Sequence, residues 1–424
     1  MNRPIKDQIL EWICIGAQVP YQSLDLLQTQ SKIIQQAIYQ MKKEMLIQVV
    51  GTGSNKELRL YLKRKSSNED TYKVIDYIQS TLGKEYIEYY IDITSNHSFH
   101  GHIADTKRVM RGAEAIQMLS RAGVVVLPWE KKNLSKKDDE QDIGDPPSYY
   151  TTKQLNALKR APANKTSADD AKKNFTRMYG LLMSKGGAYC VYNLDTGVLQ
   201  WSENGEINSR NWIAKVLRKH WDMPAYMKVD RRTMEISCTP DAIYFIRNNE
   251  TALKILKRIN PLAKERAAEQ GAKPKDKKQN TLTVYNKTHY VPISEAGIFQ
   301  LWLITQEDYQ ERLKKSFKED NRYPRYNRFD ASTNDDTKKV ITWFDGDLNR
   351  LSYINELMKT TEFSFIVECL PHQESLLNDY LCKTFLLVVF TEEQVIARLN
   401  YEEQVNEQHN IKEQEGVTDA QLRE

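Results

Sequence analysis

The sequence predicts a mixed α/β protein in which a small helical module precedes a larger α/β domain. Residues 1–66 contain three segments with the apolar spacing of helices, followed by two short segments around a glycine-rich turn. Further along, β-branched apolar segments alternate with helical ones, and the order strand–helix–strand recurs near the end. That order is typical of a sheet that is at least partly parallel and covered by helices.

The first three helices are predicted from residues 5–15, 21–27 and the segment that begins at Ser31. Gly16 is expected to end the first helix, because glycine readily adopts the left-handed conformation found there. In the third helix the apolar side chains are spaced by three or four residues, at Ile34, Ile38, Met41 and Met45. The opposite face carries hydrogen-bonding and cationic side chains, which are Lys32, Gln35, Gln36, Tyr39, Lys42 and Lys43.

A β-hairpin follows the third helix. Residues 46–50 and 58–62 read as strands, and the turn between them is Gly51–Asn55, with Lys56 near its tip. Three helices followed by such a hairpin form a winged helix-turn-helix, a module that usually places its third helix in the major groove of DNA. Residues 1–66 contain ten basic and five acidic residues, which suits a phosphate backbone.

This module predicts two sets of DNA contacts. The residues expected nearest the bases are Lys32, Gln35, Gln36 and Tyr39, and those expected at the phosphates are Lys42, Lys43, Lys56 and Arg59. Winged helices also dock on proteins, so a protein-binding role for the module is the alternative.

The remaining chain divides by composition. Residues 67–130 read as a connecting region of helices and strands, 131–173 as a polar linker with a short helix, 174–390 as the α/β domain, and 391–424 as an acidic tail. Individual elements expected within these ranges include strands at 85–93, 122–129 and 299–305 and a helix at 175–183.

The five cysteines and the hydropathy bear on location. The cysteine count is odd, no signal peptide precedes the chain, and no apolar run reaches the ~20 residues that a membrane span needs. These observations predict a cytoplasmic protein that does not cross a membrane. Apolar neighbours predict buried thiols at Cys14, Cys190, Cys369 and Cys382.

Two acidic motifs are candidates for metal chemistry. Asp241 follows Pro240 at the head of an apolar strand. In PD-(D/E)-x-K nucleases an aspartate at that position is the first Mg²⁺ ligand, and an acid-x-lysine pair on the next strand completes the site. Here the next strand, TLTVYNK, contains no such pair. FDGDLNR places Asp345 and Asp347 after another strand, with Glu368 on the strand that follows. The alternative is that Asp-Gly forms a turn and Asp347 caps a helix.

Two further clusters have alternative interpretations. His97, His100 and His102 lie near Asp92 and Asp105, a set that could bind Zn²⁺ but that is more typical of an exposed loop. In TKRVMRGAEAIQML, a helix would carry three cations that contact phosphates, contact an acidic partner or simply face solvent. These cations are Lys107, Arg108 and Arg111.

The layout of these segments resembles the replication-relaxation-type proteins of Gram-positive conjugative elements and plasmids. The matching stretches are the winged helix at 1–65, NHSFHGH with RVMRGAEAIQMLSRAGV, GGAYCVYNL with LQWSENGEINSR, and TWFDGDLNRL. The resemblance implies a divergent restriction-endonuclease-like fold behind the winged helix, and DNA binding connected with replication or transfer of a mobile element.

The sequence therefore favours a DNA-binding protein of a plasmid, phage or conjugative element, acting in replication, transfer or transcriptional control. Such proteins commonly bind paired half-sites as homodimers, and the α/β domain or the acidic tail would dock a protein partner. No catalytic residue, metal or cofactor is assigned. The alternatives are a Mg²⁺-dependent nuclease that uses Asp241, Asp345, Asp347 and Glu368, and a scaffold subunit of a nucleoprotein complex.

Overall fold

The computed structural model describes residues 3–62, 69–95, 106–134, 136, 146–160, 177–197, 203–217, 228–229, 236–237, 240–257, 284–315, 330–332, 338–382 and 384–400. Within these residues the chain is a mixed α/β protein, as predicted. Helices surround two larger sheets and a small N-terminal sheet. None of the helices in the described ranges is long and apolar enough to cross a membrane.

The N-terminal elements follow the predicted order. They are α1 (Ile5–Gly16), β1 (Val19–Pro20), a 3₁₀ helix (Tyr21–Leu27), α2 (Ser31–Lys43), β2 (Ile47–Val50) and β3 (Glu57–Leu60). The three strands form an antiparallel sheet in the order β1-β3-β2. The left-handed residue that ends α1 is Ala17, with φ 67°, rather than Gly16. Gly16 instead allows α1 to lie close to the next long helix, because an added Cβ would stand 3.4 Å from the Cβ of Ala113.

Three helices follow, namely α3 (Glu69–Thr81), α4 (Lys84–Ser95) and α5 (Thr106–Arg121). The strand predicted at 85–93 was wrong, because these residues belong to α4. Ile87, Tyr90 and Ile93 are buried at three-residue spacing, so one helical face meets the core. The strand predicted at 122–129 was also wrong. Only a single bridge, from Val125 to Ser148, forms there, before a short 3₁₀ helix at Pro128–Glu130.

The larger sheet has five strands in the order β10-β9-β6-β5-β4. Its strands and helices are β4 (Ser148–Thr151), α6 (Thr152–Arg160), β5 (Gly180–Ser184), β6 (Gly187–Asp195), α7 (Glu203–Leu217), β9 (Asp241–Ile246), α8 (Asn249–Leu256) and β10 (Thr288–Pro292), with a separate pair formed by β7 (Lys228–Val229) and β8 (Ile236–Ser237). Strands β4, β5 and β6 are antiparallel, whereas β6, β9 and β10 are parallel.

Two predictions in this region need correction. The helix predicted at 175–183 was wrong, because β5 occupies the end of that range and all five of its residues are buried. A continuous apolar run does not distinguish a buried strand from a buried helix. In addition, β4 lies within the range predicted as a polar linker, yet it pairs with β5 along its whole length. The sheet therefore begins before residue 174.

Two helices, α9 (Glu295–Thr305) and α10 (Tyr309–Lys315), connect the two larger sheets. The strand predicted at 299–305 was wrong, because these residues form the second half of α9. Helix α9 itself carries apolar residues on nearly every side. Among them, Leu301, Leu303 and Ile304 are fully buried. A helix that is buried all round has no amphipathic period for sequence analysis to detect.

The second sheet has four strands in the order β11-β12-β13-β14. Its elements are β11 (Ala331–Ser332), β12 (Lys338–Thr342), α11 (Leu348–Thr360), β13 (Ser364–Cys369), α12 (Glu374–Tyr380), β14 (Leu386–Val389) and α13 (Glu392–Leu399). Strands β12, β13 and β14 are parallel, which confirms the predicted parallel arrangement. A bridge between His289 on β10 and Asp347 before α11 joins the two sheets.

The cysteines are largely placed as predicted. Cys14, Cys190 and Cys369 are buried free thiols, but Cys382 is exposed, so its predicted burial was wrong. It follows α12 at the edge of the second sheet, where its N–H donates a hydrogen bond to the side chain of Asn355. Cys238 lies outside the described residues.

Candidate functional site

The predicted base-reading helix is α2, and it buries only one side. Ile34, Ile38 and Met41 pack into the core with 4%, 3% and 0% exposure. The other side, which we call the α2 face, consists of Lys32, Gln35, Gln36, Tyr39, Lys42 and Lys43, all of them exposed. Tyr39 is 70% exposed, more than any other large hydrophobic side chain in the described part of the chain.

The charge of the α2 face is uncompensated within the described part of the chain. No carboxylate there lies within ion-pair distance of Lys32, Lys42 or Lys43. The one acidic residue that follows the helix, Glu44, is paired with Lys6 of α1 at 2.5 Å. The helix thus presents three free cations around an exposed tyrosine.

The two predicted phosphate contacts on the hairpin are placed differently. The ammonium group of Lys56 lies 3.8 Å from the ring centroid of Tyr21, a cation–π contact that holds the side chain half-buried. Arg59 forms an ion pair with Glu57, whose side chain is 1% exposed. Burial raises the pKa of Glu57, and Arg59 acts in the opposite direction. Both hairpin cations therefore have intramolecular partners, whereas the turn from Gly51 to Asn55 is exposed.

The three cations of α5 also differ from one another. Lys107 is exposed, but the guanidinium of Arg108 lies 5.3 Å from the ring centroid of Tyr179. Arg111 pairs with Asp195 at 3.4 Å. Two of these residues thus contact the body of the protein, and α5 offers no continuous basic surface.

A second cluster lies where the two larger sheets join. We call it the aspartate cleft, a cavity of about 220 Å³ whose lining includes Lys287, Tyr309, Asp330, Asp345, Asp347 and Arg350. The Asp241 motif is connected to this cleft through one lining residue. Asp241, at the start of β9, accepts a hydrogen bond from the backbone N–H of Lys287 at 3.2 Å, and Lys287 lines the cleft beside Asp345 and Asp347.

Asp345 and Asp347 have opposite environments. Asp345 accepts hydrogen bonds from Tyr309 Oη at 3.1 Å and Gln310 Nε2 at 2.8 Å. Burial acts to raise the pKa of Asp345, but the neighbouring His289 and Lys287 hold it below its usual value. Burial raises the pKa of Asp347 to about 6, and the adjacent Asp345 carboxylate acts in the same direction. In mildly acidic solution Asp345 is therefore ionised, whereas Asp347 retains its proton until the pH rises to about 6.

The turn-and-cap interpretation of this motif is confirmed. Asp347 is the N-cap of α11, where its Oδ1 accepts the N–H of Asn349 at 3.0 Å and that of Thr288 at 3.1 Å. Gly346 has φ 67°, so the Asp-Gly step forms the turn between β12 and α11. His289 donates Nδ1–H to the backbone oxygen of Asp345 at 3.0 Å and fixes this turn against β10.

Glu368 does not belong to the cleft. Its Oε2 accepts a hydrogen bond from Arg398 at 2.8 Å, and both side chains are 9% exposed. The residues that sequence analysis missed are Lys287, His289, Tyr309, Gln310 and Arg350. Lys287 is the last residue of TLTVYNK, and no acid stands two positions before it, so the nuclease pattern gave no signal for it.

Nothing in the described residues marks the cleft as a divalent-metal site. Within the described residues no group of three or more His, Cys, Asp or Glu side chains is placed to hold a metal ion. Mg²⁺ is usually bound through one or two carboxylates together with water, and an oxygen that already accepts hydrogen bonds has less lone-pair density to offer a cation. Here Oδ1 and Oδ2 of Asp345 accept hydrogen bonds, and Oδ1 of Asp347 accepts two more. The geometry therefore gives no support to the nuclease alternative.

The histidine cluster, for which an exposed loop was favoured over a zinc site, lies almost wholly outside the described residues. His97, His100, His102 and Asp105 lie outside them. Asp92, at the end of α4, is described, and its carboxylate pairs with Lys153 of α6.

Comparison of the chain with protein-family models, with curated proteins and with solved structures finds no match.

Proposed function

We propose that the protein binds double-stranded DNA through the α2 face, with residues 3–60 acting as a winged helix. The observation that carries the proposal is the free surface of α2. Ile34, Ile38 and Met41 of its apolar side are buried, whereas Met45, which was predicted to continue that side, lies beyond the helix and is 49% exposed. Its other side has three lysines without carboxylate partners among the described residues, two glutamines and a tyrosine that is 70% exposed. Lysines anchor phosphates, and glutamine side chains can form paired hydrogen bonds with adenine.

The hairpin has a supporting role in this proposal. Its exposed turn, Gly51–Asn55, would approach the backbone beside the helix, as a wing does. Lys56 and Arg59 would contribute positive potential rather than direct contacts, since each is already bound by a partner within the module. The α2 face would then supply most of the specific contacts.

We place this activity in the cytoplasm and in the replication, transfer or transcription of a mobile element. The location rests on the free thiols, which are typical of a reducing compartment. The biological setting rests on the resemblance in layout described above.

One observation favours protein docking as a second candidate. Ile33 and Met45, at the margins of the α2 face, are 44% and 49% exposed. Apolar side chains at the rim of a helix suit a protein partner as well as a DNA groove.

The test is selection from a random duplex library with the purified full chain, at two salt concentrations and with Mg²⁺ present. An enriched sequence on uncut DNA is expected. Gln36→Ala should then weaken binding to that sequence by ~1–3 kcal/mol and leave binding to random DNA unchanged. Gln79→Ala, at an exposed glutamine of α3, is the matched control. Equal losses on both DNAs would refute base reading, and no binding to DNA would favour the protein-docking candidate.

A further inference from the structure

Two residues occupy the middle of the stripe by which α2 faces away from the core. With 3.6 residues per turn, Gln36 points about 140° to 160° away from each of the three buried residues of this helix. Tyr39 follows Gln36 by three residues, so the two side chains are neighbours on the same side. We call Gln36 and Tyr39 the central pair.

The other two glutamines of α2 are less well placed to contact a ligand. Gln35 precedes the buried Ile38 by three residues, so it lies at the flank of the helix, beside the core. The Nε2 of Gln40 donates a hydrogen bond to Glu44 Oε1 at 2.9 Å. By contrast, neither side chain of the central pair has a hydrogen-bond partner in the described part of the chain. The central pair is therefore free to bind a ligand.

Positive charge flanks the central pair on both sides. Lys32 and Lys43 continue the same stripe toward the two ends of α2, about 16 Å apart along the helix axis. Both are exposed, and neither has a carboxylate partner among the described residues. Phosphates on either side of a groove complement such a stripe, and the major groove is wide enough to admit a helix. This charge favours DNA as the occupant, with the central pair over the base edges.

The chemistry of the central pair favours particular bases. A glutamine amide can donate to N7 and accept from N6 of adenine at the same time. The C5 methyl of thymine is the apolar group on the base edges of the major groove, so it is the best partner for an exposed phenol ring. Residues three apart in a helix are separated by about 4.5 Å, close to the ~3.4 Å between stacked base pairs. The central pair therefore suits two successive base pairs.

We propose that the central pair reads two neighbouring A·T base pairs. Gln36 forms paired hydrogen bonds with the adenine of one, and the ring of Tyr39 packs on the thymine methyl of the other. This inference rests on the proposed DNA binding and adds the class of sequence that the α2 face recognises.

The test uses the full chain and a duplex that carries the sequence enriched from the random library. Bases are replaced one at a time: thymine by uracil, which lacks the methyl group, and adenine by 7-deazaadenine, which lacks N7. Fluorescence anisotropy measures the dissociation constant of each duplex. One uracil should raise it about fourfold, as expected for the loss of one buried methyl group. One 7-deazaadenine in the neighbouring pair should raise it about tenfold.

Each protein variant should lose one of these sensitivities and keep the other. Tyr39→Ala should bind the thymine and uracil duplexes equally, whereas Tyr39→Phe, which keeps the ring, should still distinguish them. Gln36→Ala should bind the adenine and 7-deazaadenine duplexes equally. Gln35→Ala, the matched control on the same helix, should retain both sensitivities. All three positions are exposed, so circular dichroism should show an unchanged fold.

The outcomes separate this inference from the proposed function. An enriched sequence that lacks two neighbouring A·T pairs would overturn the inference and leave specific DNA binding in place. A sensitivity to uracil that persists in Tyr39→Ala, or to 7-deazaadenine that persists in Gln36→Ala, would do the same. If the protein binds no DNA, the proposed function and this inference fail together.

Discussion

Glu114 on α5 and Arg247 at the end of β9 form an ion pair in which the acid is completely buried. The Glu114 carboxylate also accepts hydrogen bonds from Asn193 Nδ2 at 3.0 Å and Ser23 Oγ at 3.2 Å. Ser23 lies in the 3₁₀ helix that precedes α2, and Asn193 lies on β6. One buried carboxylate therefore connects the N-terminal module, α5 and the larger sheet.

Glu114→Ala should destabilise the whole protein. It removes the partner of Arg247, which keeps only Asp195 at 2.8 Å, and it leaves the amide of Asn193 with one acceptor fewer. Breaking a buried pair from one side costs about 3 kcal/mol. Urea denaturation would measure this loss. Glu250→Ala, which removes an exposed pair with Lys254, should leave the free energy of unfolding nearly unchanged. Equal effects of the two substitutions would contradict the proposed connection.

The aspartate cleft should impose a pH dependence on stability. The pKa of Asp347 in the folded state, about 6, exceeds the unfolded value of about 4. Its stabilising contribution is therefore complete below pH 4 and is lost as the pH rises through 6. Asp347→Asn keeps the helix cap and removes the group whose ionisation destabilises the folded state. The free energy of unfolding of the variant should therefore exceed that of the parent by up to about 2 kcal/mol at pH 7. Thermal unfolding from pH 4 to pH 8 would show the gain growing with pH.

Asp345→Asn should have the opposite effect. The folded state holds the pKa of Asp345 below its usual value, so its ionised form stabilises the protein above that range. The amide variant should be less stable than the parent at pH 7, and the difference should persist down to about pH 4 and shrink only as the pH falls further. If both variants shift stability in the same direction, the assignment of the proton to Asp347 is wrong.

Gly346 should tolerate no side chain. It has φ 67°, and an added Cβ would stand 2.4 Å from Gln300 Nε2 and 2.5 Å from the backbone oxygen of Tyr290. Gly346→Ala therefore combines left-handed strain with overpacking, and we expect a loss of about 3 kcal/mol in urea denaturation. Gly53→Ala is the control, because Gly53 has φ 57° but no atom within 4 Å of its added Cβ. That substitution should cost only about 1 kcal/mol.

The lysines of the α2 face should govern the salt dependence of DNA binding. Lys42→Ala and Lys43→Ala should each lower the slope of log affinity against log salt concentration by about 0.9, since each removes one phosphate contact. Fluorescence anisotropy with a labelled duplex at several salt concentrations would measure the slope. Lys84→Ala, at an exposed lysine of α4, should leave it unchanged. An unchanged slope in the α2 variants would remove phosphate binding from this face.

Local patterns determined a substantial part of this structure. The spacing of Ile34, Ile38 and Met41 predicted an exposed opposite face on α2, and the alternation around Gly51–Asn55 predicted the hairpin. The strand–helix–strand order from Lys338 to Cys369 predicted the parallel second sheet. These features can be predicted from the sequence because each depends on residues that are close together in the chain. Over such short distances, the spacing of apolar residues shows which side of a helix or strand meets the core.

Tertiary structure decided what local patterns left ambiguous. Helix α9 reads as a strand because a helix buried on nearly every side has many apolar residues and little visible period. Helix α4 reads as a strand because EYIEYYIDI is rich in isoleucine and tyrosine, which favour strands, although only one of its faces meets the core. The hydrogen bond between Asp241 and Lys287 joins residues 46 positions apart, and the ion pair between Glu114 and Arg247 joins residues 133 positions apart. Such contacts arise only when the sheets assemble, and burial in that assembly is what raises the pKa of Asp347.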